Sequence, residues 1–447
     1  MSKTQCQYTL PFHPDRKMTV KFDGGEITSD AGLVLLYSVD RSHGLSRSFA
    51  RCVSDSRDSR YVQHSLEKLT TQRTLQIAAG YEDGNDADTL RQDAALKSFC
   101  DQLPETAGEL GSGSTLCRME NSVSWRDIWR IQEMWVARYI RKLKKSGRRK
   151  IILDLDSTDD ETHGQQEFSF YHGYFRHHVY HPLLIFDHET GDLLCALLRG
   201  GNRGAAFRAV SVLKRIVKRI RQKLPWELEI EIRADSGFAT PELYEYCEKQ
   251  EKPLDYVIGF KRNSRLEAEV EELLEQAHQN FQKEEIKQRR FSEFSYQADG
   301  WDRARRMVAK VEINELGTNR RFVVTNRTDL NAEALYDHYI QRGQTENYIK
   351  VFKKDLAMDR LSCHRFLANQ FRLLLHGLAY QLFLALRDYL KGTAWSRLEI
   401  ETLRRRVLKL GARIRQTTRR IWIHGSSSYP EQQTFLLVLQ RICARPG

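Results

Sequence analysis

Apolar residues recur with two different periods along the chain, and the change of period marks a domain boundary. In the first part the spacing is mostly helical, and the apolar stripe from Trp125 to Leu143 repeats every three to four residues. Ser124 and Asp127 form a capping-box pattern where that stripe begins. The pattern predicts a mainly helical N-terminal domain over residues 1–147.

Alternating runs typical of strands follow from Lys150 onward. Strands are predicted at Ile151–Thr158, at Glu227–Asp235 and at Tyr256–Lys261, with a hairpin whose turn lies near Asp187–Asp192. A basic amphipathic helix is predicted from Ala205, between the hairpin and the next strand. This order indicates an α/β core built on a mixed sheet.

Three further regions complete the predicted layout. They are the α/β core at residues 148–375, a β-rich insertion within it at about 265–328, and a basic helical C-terminal region at 376–447.

Positive charge is concentrated in clusters. The 447-residue chain has a formal net charge of +12, with basic runs at Arg141–Lys150, Lys214–Lys223 and Arg404–Arg420. One such run is often a solvated helix face, but three together favour a polyanionic partner, and nucleic acid is the commonest one.

The cysteines and the hydropathy of the chain indicate the cellular location of the protein. The eight cysteines include no CxxC pair, so we expect reduced thiols rather than a disulfide framework or a zinc module. The opening residues, MSKTQCQYTLPFHP, lack the apolar core of a signal peptide, and no later run has the length of a membrane span. We expect a cytoplasmic protein without a membrane partner.

Three acidic residues stand at the ends of predicted elements, where active sites tend to lie. Asp156 and Asp235 are near the ends of strands, and Glu346 is on a helix far downstream. Carboxylates so arranged can hold a pair of Mg²⁺ ions about 4 Å apart. Asp154 shares a strand face with Asp156, so the pattern leaves open which of the two is the first ligand.

A polar stripe accompanies Glu346 on its helix. On a helix, five side chains spaced by three or four residues line one face: Tyr339, Arg342, Glu346, Lys350 and Lys353. Such a stripe is either a solvated salt-bridge face or an acid placed beside cations that bind phosphate.

The stripe carries a resemblance to a known family. The spacing from Tyr339 through Arg342 and Glu346 to Lys353 matches the Tyr, Arg, Glu, Lys signature of DDE transposases of bacterial insertion sequences. LDLDST, RADSGF, STLCRMEN and DRLSCHRFLANQFRLLLHGLAY also look like this group. Together they make nearly the whole chain resemble the insertion sequence 1380 family.

This resemblance implies a ribonuclease-H-like core with a metal-binding triad at Asp156, Asp235 and Glu346, and it favours Asp156 over Asp154. It implies two Mg²⁺ ions, replaceable by Mn²⁺, and DNA as partner: the terminal inverted repeats and the target, with no small-molecule substrate. It also implies a homodimer acting at the bacterial nucleoid, where a nicked 3′ hydroxyl attacks target DNA. The N-terminal domain at 1–147, together with the basic C-terminal helices from Arg404, is expected to bind the terminal inverted repeats. The roles it gives to Tyr339, Arg342, Lys350 and Lys353 are phosphate contacts or ordering of the site.

Some positions keep two interpretations. Trp301 is expected either to stack on a flipped base of DNA or to be buried in the insertion. The acids at 159–161 are expected in a solvated turn, and the histidines between 163 and 181 in DNA contacts or plain surface rather than a zinc site. The rival functions are a DNA-binding protein derived from a transposase and a nuclease of the same fold.

Overall fold

A computed structural model describes residues 7–444, so Cys6 and the other residues of the N-terminal tip lie outside the described part. The strands are β1 (Gln7–Leu10), β2 (Met18–Lys21), β3 (Ile27–Thr28), β4 (Lys150–Ser157), β5 (Asp160–Glu161), β6 (Phe170–His172), β7 (His177–Tyr180), β8 (Leu183–Asp187), β9 (Leu193–Leu197), β10 (Glu229–Ala234), β11 (Asp255–Phe260), β12 (Gln288–Tyr296), β13 (Arg305–Asn314), β14 (Gly317–Thr325), β15 (Ala412–Gln416) and β16 (Ile421–Gly425).

The α-helices are α1 (Val34–His43), α2 (Leu45–Ala50), α3 (Leu66–Ala79), α4 (Asp86–Leu90), α5 (Ala94–Phe99), α6 (Gly113–Asn121), α7 (Trp125–Ser146), α8 (Ala209–Lys223), α9 (Pro241–Glu248), α10 (Ser264–Ala268), α11 (Glu271–Glu284), α12 (Ala332–Ile340), α13 (Gly343–Lys350), α14 (Phe366–Leu390), α15 (Ile400–Leu403) and α16 (Gln432–Cys443). Short 3-10 turns lie at Ala31–Leu33, Ser59–Tyr61 and Ser236–Phe238, and π-helical turns at Val351–Asp355 and Arg404–Leu408.

The described chain divides into two compact units. The first contains residues up to 122, residues 355–357 and residues from 378 onward, and the second contains residues 123–354 and 358–377. This division differs from the expected boundaries at 147 and 375. Helix α7 belongs to the second unit because its apolar side, including Tyr139 and Leu143, is buried in that unit's core. The two ends of the chain share the first unit because β3 pairs with β15.

An eight-stranded mixed sheet forms the centre of the second unit, in the order β12–β13–β14–β11–β10–β4–β8–β9. Strands β4, β10 and β11 are parallel, whereas β8 and β9 form an antiparallel hairpin beside β4. The predicted strand at Ile151–Thr158 and the predicted turn near Asp187–Asp192 are thereby confirmed. The fold is mixed α/β.

Alternation along β4 separates two faces of the sheet. Ile151, Leu153 and Leu155 are buried in one hydrophobic core together with apolar residues of α7, α8 and α9. Asp154 and Asp156 point to the opposite face, since successive side chains of a strand alternate. The polar residues of β4 are therefore gathered away from the main core.

The insertion at about 265–328 joins the main sheet. It begins with α10 and α11, and its three strands extend the sheet because β14 pairs antiparallel with β11. The insertion thus contains the expected strands, but helices precede them.

The expectation of a helical C-terminal region is wrong for residues 412–425, which form the hairpin of β15 and β16. In β15 the buried Ala412 and Ile414 alternate with the exposed Arg413 and Arg415, which is the period of a strand. Helices do occur on either side of this hairpin, at α14, α15 and α16.

Within residues 7–444, no helix combines the length and the apolar character that crossing a membrane requires. In this part of the chain no disulfide bond joins the cysteines, which are Cys52, Cys100, Cys117, Cys195, Cys247, Cys363 and Cys443.

Trp301 lies in an aromatic cluster of the second unit. It is 8% exposed, and its ring packs edge-on against Tyr244, Phe260 and Tyr296 at centroid distances of 5.3 to 5.8 Å. The guanidinium of Arg305 lies 5.2 Å from its ring centroid. Of the two interpretations of Trp301, the structure therefore has the buried one. Stacking on a DNA base would require the ring to leave this cluster.

We predict that Trp301→Ala lowers the free energy of unfolding by about 3–5 kcal/mol, because it empties a packed aromatic site. Trp125→Ala is the matched control, since Trp125 is 42% exposed. Urea unfolding followed by circular dichroism measures both. Equal, small losses would contradict a structural role for Trp301.

Candidate active site

The strand register brings Asp156 and Asp235 side by side. Leu155 of β4 pairs with Ala234 of the parallel strand β10, so the next residues of both strands are neighbours at their carboxyl ends. Asp156 is 6% exposed, while the carboxylate of Asp235 accepts a hydrogen bond of 2.8 Å from the backbone N–H of Gly237. Two carboxylates therefore meet at one edge of the sheet.

Arg342 links this edge to Glu346 on α13. Its Nη1 donates to Glu346 Oε1 at 3.1 Å, and its Nη2 lies 3.5 Å from Asp156 Oδ2. The side chain of Arg342 is 12% exposed, whereas that of Glu346 is 65% exposed. A mostly buried guanidinium thus lies between the helix carboxylate and the strand carboxylate.

The electrostatics of Asp156 reflect crowding by like charges. Burial raises the pKa of Asp156 to about 7; Arg342 opposes that rise, and the carboxylates of Asp235 and Glu346 add to it. Three acids therefore act on one another at a site that a single guanidinium neutralises only in part.

A buried ion pair lies beneath these carboxylates. Arg233 and Asp154 face each other across β10 and β4, both 0% exposed, with Nε–Oδ1 at 2.7 Å and Nη2–Oδ2 at 2.9 Å. Arg233 also donates to the backbone carbonyl of His338 in α12 at 2.8 Å. Asp154 in turn accepts a bond of 2.6 Å from the hydroxyl of Thr345 in α13. We call Asp154, Arg233 and Thr345 the buried clamp.

The buried clamp positions all three acids, because each of its members lies one or two residues before an acid in the sequence. Thr345 precedes Glu346, Asp154 lies two residues before Asp156, and Arg233 lies two residues before Asp235. Burial would raise the pKa of Asp154, but the hydrogen bonds and the positive charge facing it outweigh burial and hold the pKa below its ordinary value. Asp154 is therefore a charged structural anchor.

The other residues of the polar stripe differ in their surroundings. Tyr339 is largely buried against β11, where a Cβ at Gly259 would collide with its hydroxyl. Lys353 donates to the carboxylate of Asp159 at 2.9 Å, and Lys350 is exposed. Tyr339 and Arg342 thus line the carboxylate site, Lys353 is held by a neighbouring loop, and Lys350 faces solvent.

The chain matches the protein family described as Transposase DDE domain group 1 over residues 10–446. It belongs to this transposase family. No protein with a curated description matches it. Among solved structures, it is similar to the cryo-EM structure of the piggyBac transposase synaptic complex with hairpin DNA, with a TM-score of 0.41 and 12% identity, covering 85% of this chain and 80% of that one.

The transposase domain contains carboxylate oxygens, the ligands that hard divalent cations prefer. Nevertheless, among residues 7–444 no group of three or more His, Cys, Asp or Glu side chains is arranged to hold a metal ion. At the carboxylate site the Arg342 guanidinium lies between Asp156 and Glu346, and the Glu346 side chain is largely exposed. The donors at this site are carboxylate oxygens, which is the chemistry that hard divalent cations prefer.

Sequence patterns alone did not assign roles to Arg233 and Thr345. The available signal was a charged residue in the middle of an otherwise buried parallel strand, which requires a partner of opposite charge. Thr345 gave no such signal, because a threonine beside a glutamate on a helix is unremarkable until its neighbour across the fold is known.

The expectation of a solvated turn at 159–161 is wrong for Asp160. This residue, in β5, is 0% exposed, and neither carboxylate oxygen has a hydrogen-bond partner in the described structure. Burial raises the pKa of Asp160 well above its ordinary value, and the nearby Asp359 raises it further. Asp159, by contrast, keeps a lowered pKa: burial would raise it, but Lys353 outweighs that effect.

We predict that Asp154→Asn and Asp156→Asn affect stability in opposite ways. Asp154→Asn leaves the Arg233 guanidinium buried without a counter-charge, which costs about 3–5 kcal/mol. Asp156→Asn removes a crowded buried carboxylate and should leave the metal-free protein as stable as the wild type or more so. Urea unfolding in EDTA measures both, and a comparable loss in both variants would contradict these separate roles.

We predict that Asp160→Asn stabilises the protein increasingly as pH rises. The folded protein keeps Asp160 protonated at pH values where the unfolded chain already ionises it. The free energy of unfolding therefore falls as pH rises from about 4 through the pKa of the folded state. The variant lacks this loss, so its melting temperature should exceed that of the wild type at pH 8 and approach it at pH 4. Asp159→Asn is the control, and it should instead lower the melting temperature at pH 8. A pH-independent effect of Asp160→Asn would contradict the assignment.

Proposed function

We propose that this protein cleaves DNA at the ends of a mobile element and joins those ends to target DNA. Asp156, Asp235 and Glu346 would hold two divalent cations, Mg²⁺ in the first place. The observation that carries the proposal is the convergence of these three acids around Arg342. The strand order β9–β8–β4–β10–β11 is consistent with the ribonuclease-H-like core that the resemblance implies.

DDE transposases generally use divalent metal ions. Bound Mg²⁺, with Mn²⁺ as a substitute, would supply the Lewis acidity that activates a water or a 3′ hydroxyl against the scissile phosphodiester. Asp156 and Asp235 are suited to hold it because their mutual repulsion falls when a cation lies between them.

Arg342 would then change partners. In the metal-free protein its guanidinium bonds to Glu346 and lies beside Asp156. Once those oxygens bind cations, the guanidinium is free to donate two hydrogen bonds to a DNA phosphate. Lys350 and Lys353 would supply point charges along the same backbone, and the Tyr339 hydroxyl would order the site.

Basic residues elsewhere would hold the element's terminal repeats. In the first unit, the β15–β16 hairpin exposes Arg413 and Arg415, and Arg420 lies 5.5 Å from the ring of the exposed Trp422. In the second, Lys214, Lys218 and Lys223 are exposed on α8. Phosphate contacts of this kind fix the position of DNA without reading its sequence.

The working unit would be a homodimer, because both ends of an element must be held in one complex. We place it in a bacterial cytoplasm, at the nucleoid. The alternatives are a DNA-binding protein that has lost catalysis and a nuclease without strand transfer. All three acids are present, which favours chemistry over binding alone.

The test is cleavage of a labelled duplex bearing the terminal repeat taken from the DNA that flanks the gene, with Mg²⁺ or EDTA. We predict metal-dependent nicking at the repeat boundary and at least a 10³-fold loss in Glu346→Gln, since a carboxylate ligand that stabilises the transition state is removed. Repeat binding should survive in that variant. Glu333→Gln on the preceding helix is the matched control and should cleave normally.

Cleavage by Glu346→Gln at the wild-type rate would refute the metal triad. Tight binding without cleavage under any divalent metal would favour the non-catalytic alternative. Nicking without joining of precleaved ends to target DNA would favour the nuclease.

A further inference from the structure

Exposed aromatic side chains are concentrated on the hairpin of β6 and β7 and on the residue that leads into it. The exposed fractions are 60% for Phe168, 39% for Phe170, 58% for Tyr171 and 84% for Tyr174. Exposed apolar side chains gathered on one element are a mark of an interaction site. We call residues 168–178 the aromatic hairpin.

Arginines lie close to these rings, although the exposed Glu167 directly precedes Phe168. The aromatic hairpin contains no Asp or Glu, and its turn includes the exposed Arg176. Beside it runs the segment 202–208, the arginine loop, in which Arg203 and Arg208 lie 4.7 and 5.7 Å from the centroid of the exposed Phe207 ring. Aromatic faces next to guanidinium groups match the bases and phosphates of nucleic acid.

The arginine loop is fixed against the hairpin. The Arg203 carbonyl lies 2.9 Å from the ring Nδ1 of His181, just beyond β7. At the start of the loop, a Cβ at Gly201 would collide with the backbone carbonyl oxygens of Val179 and Phe170. The arginine loop and the aromatic hairpin are therefore packed against each other.

This surface is also attached to the carboxylate site. His177 of the hairpin lies 3.6 Å from the carboxylate of Asp159, which accepts a hydrogen bond from Lys353. Asp159 follows Asp156 by three residues. A strand that leaves the carboxylate site in this direction meets the aromatic hairpin.

We propose that the aromatic hairpin and the arginine loop bind unpaired nucleotides of DNA. Bases stack on Tyr171 and Tyr174, and the backbone phosphates face Arg203 and Arg208. Paired bases have their faces covered by neighbours, so an exposed ring at a hairpin tip stacks only on an unstacked base. The proposal rests on the proposed function, because it names the form of DNA that the active site would hold.

The test measures binding in EDTA, so that no cleavage is required. The full-length protein is mixed with a random-sequence duplex that has a single-stranded overhang of about five nucleotides, one of them 2-aminopurine, or with the blunt duplex. The wild type should quench the 2-aminopurine fluorescence. In Tyr171→Ala/Tyr174→Ala the quenching should disappear and overhang affinity should fall by at least about 5-fold, the lower end of the range for losing a single stacked base, with blunt-duplex affinity unchanged.

Two controls separate stacking from other effects. Tyr171→Phe/Tyr174→Phe keeps both rings and should quench like the wild type. Tyr61→Ala removes a tyrosine that is 78% exposed and lies beside Arg60 but is outside the hairpin, and it should also behave like the wild type.

Unchanged quenching and affinity in the alanine variant would overturn the proposal. So would a changed oligomeric state in sedimentation with unchanged DNA affinity, because the patch would then be an interface between copies. A wild type that stacks on overhangs but never cleaves the terminal repeat would refute the proposed function while supporting this surface. Cleavage of the terminal repeat without quenching of the overhang would refute this surface while supporting the proposed function.

Discussion

The active-site region depends on one buried ion pair, between Asp154 and Arg233. Two charges without water are tolerated only when each is paired and its remaining hydrogen-bonding groups are satisfied. Here that requirement ties together four elements: strands β4 and β10 by the pair itself, α12 through a backbone carbonyl, and α13 through Thr345. The three acids of the candidate site inherit their positions from this arrangement.

The upper layer of the site has the opposite character. Asp156, Asp235 and Glu346 repel one another, and Arg342 compensates for this only with one long contact and one ordinary one. The buried ion pair fixes the elements that carry the three acids, while the acids themselves lack a full counter-charge. A bound cation would supply that counter-charge. In the proposed function, Arg342 is the cation that a bound metal ion would replace beside Asp156.

Much of this architecture could be predicted from the sequence. Alternation located β4, the hairpin and the parallel strands, because buried strands constrain every second residue. The signature spacing located Glu346 and Arg342 because helical periodicity is local. The β15–β16 hairpin was missed because the basic composition around it obscured a run too short for a clear period, and the buried state of Asp160 was missed because three adjacent acids are usually solvated. The Thr345 contact spans 191 residues, so no local pattern could reveal it.

The central claim is that Asp156 and Asp235, and not Asp154, bind the catalytic cation. The most direct measurement is anomalous diffraction from crystals of the protein with DNA and Mn²⁺. We expect anomalous density between the carboxylates of Asp156 and Asp235, with Arg342 turned away from Asp156 and the Asp154–Arg233 pair intact. Manganese bound by Asp154, or density that touches neither Asp156 nor Asp235, would contradict it.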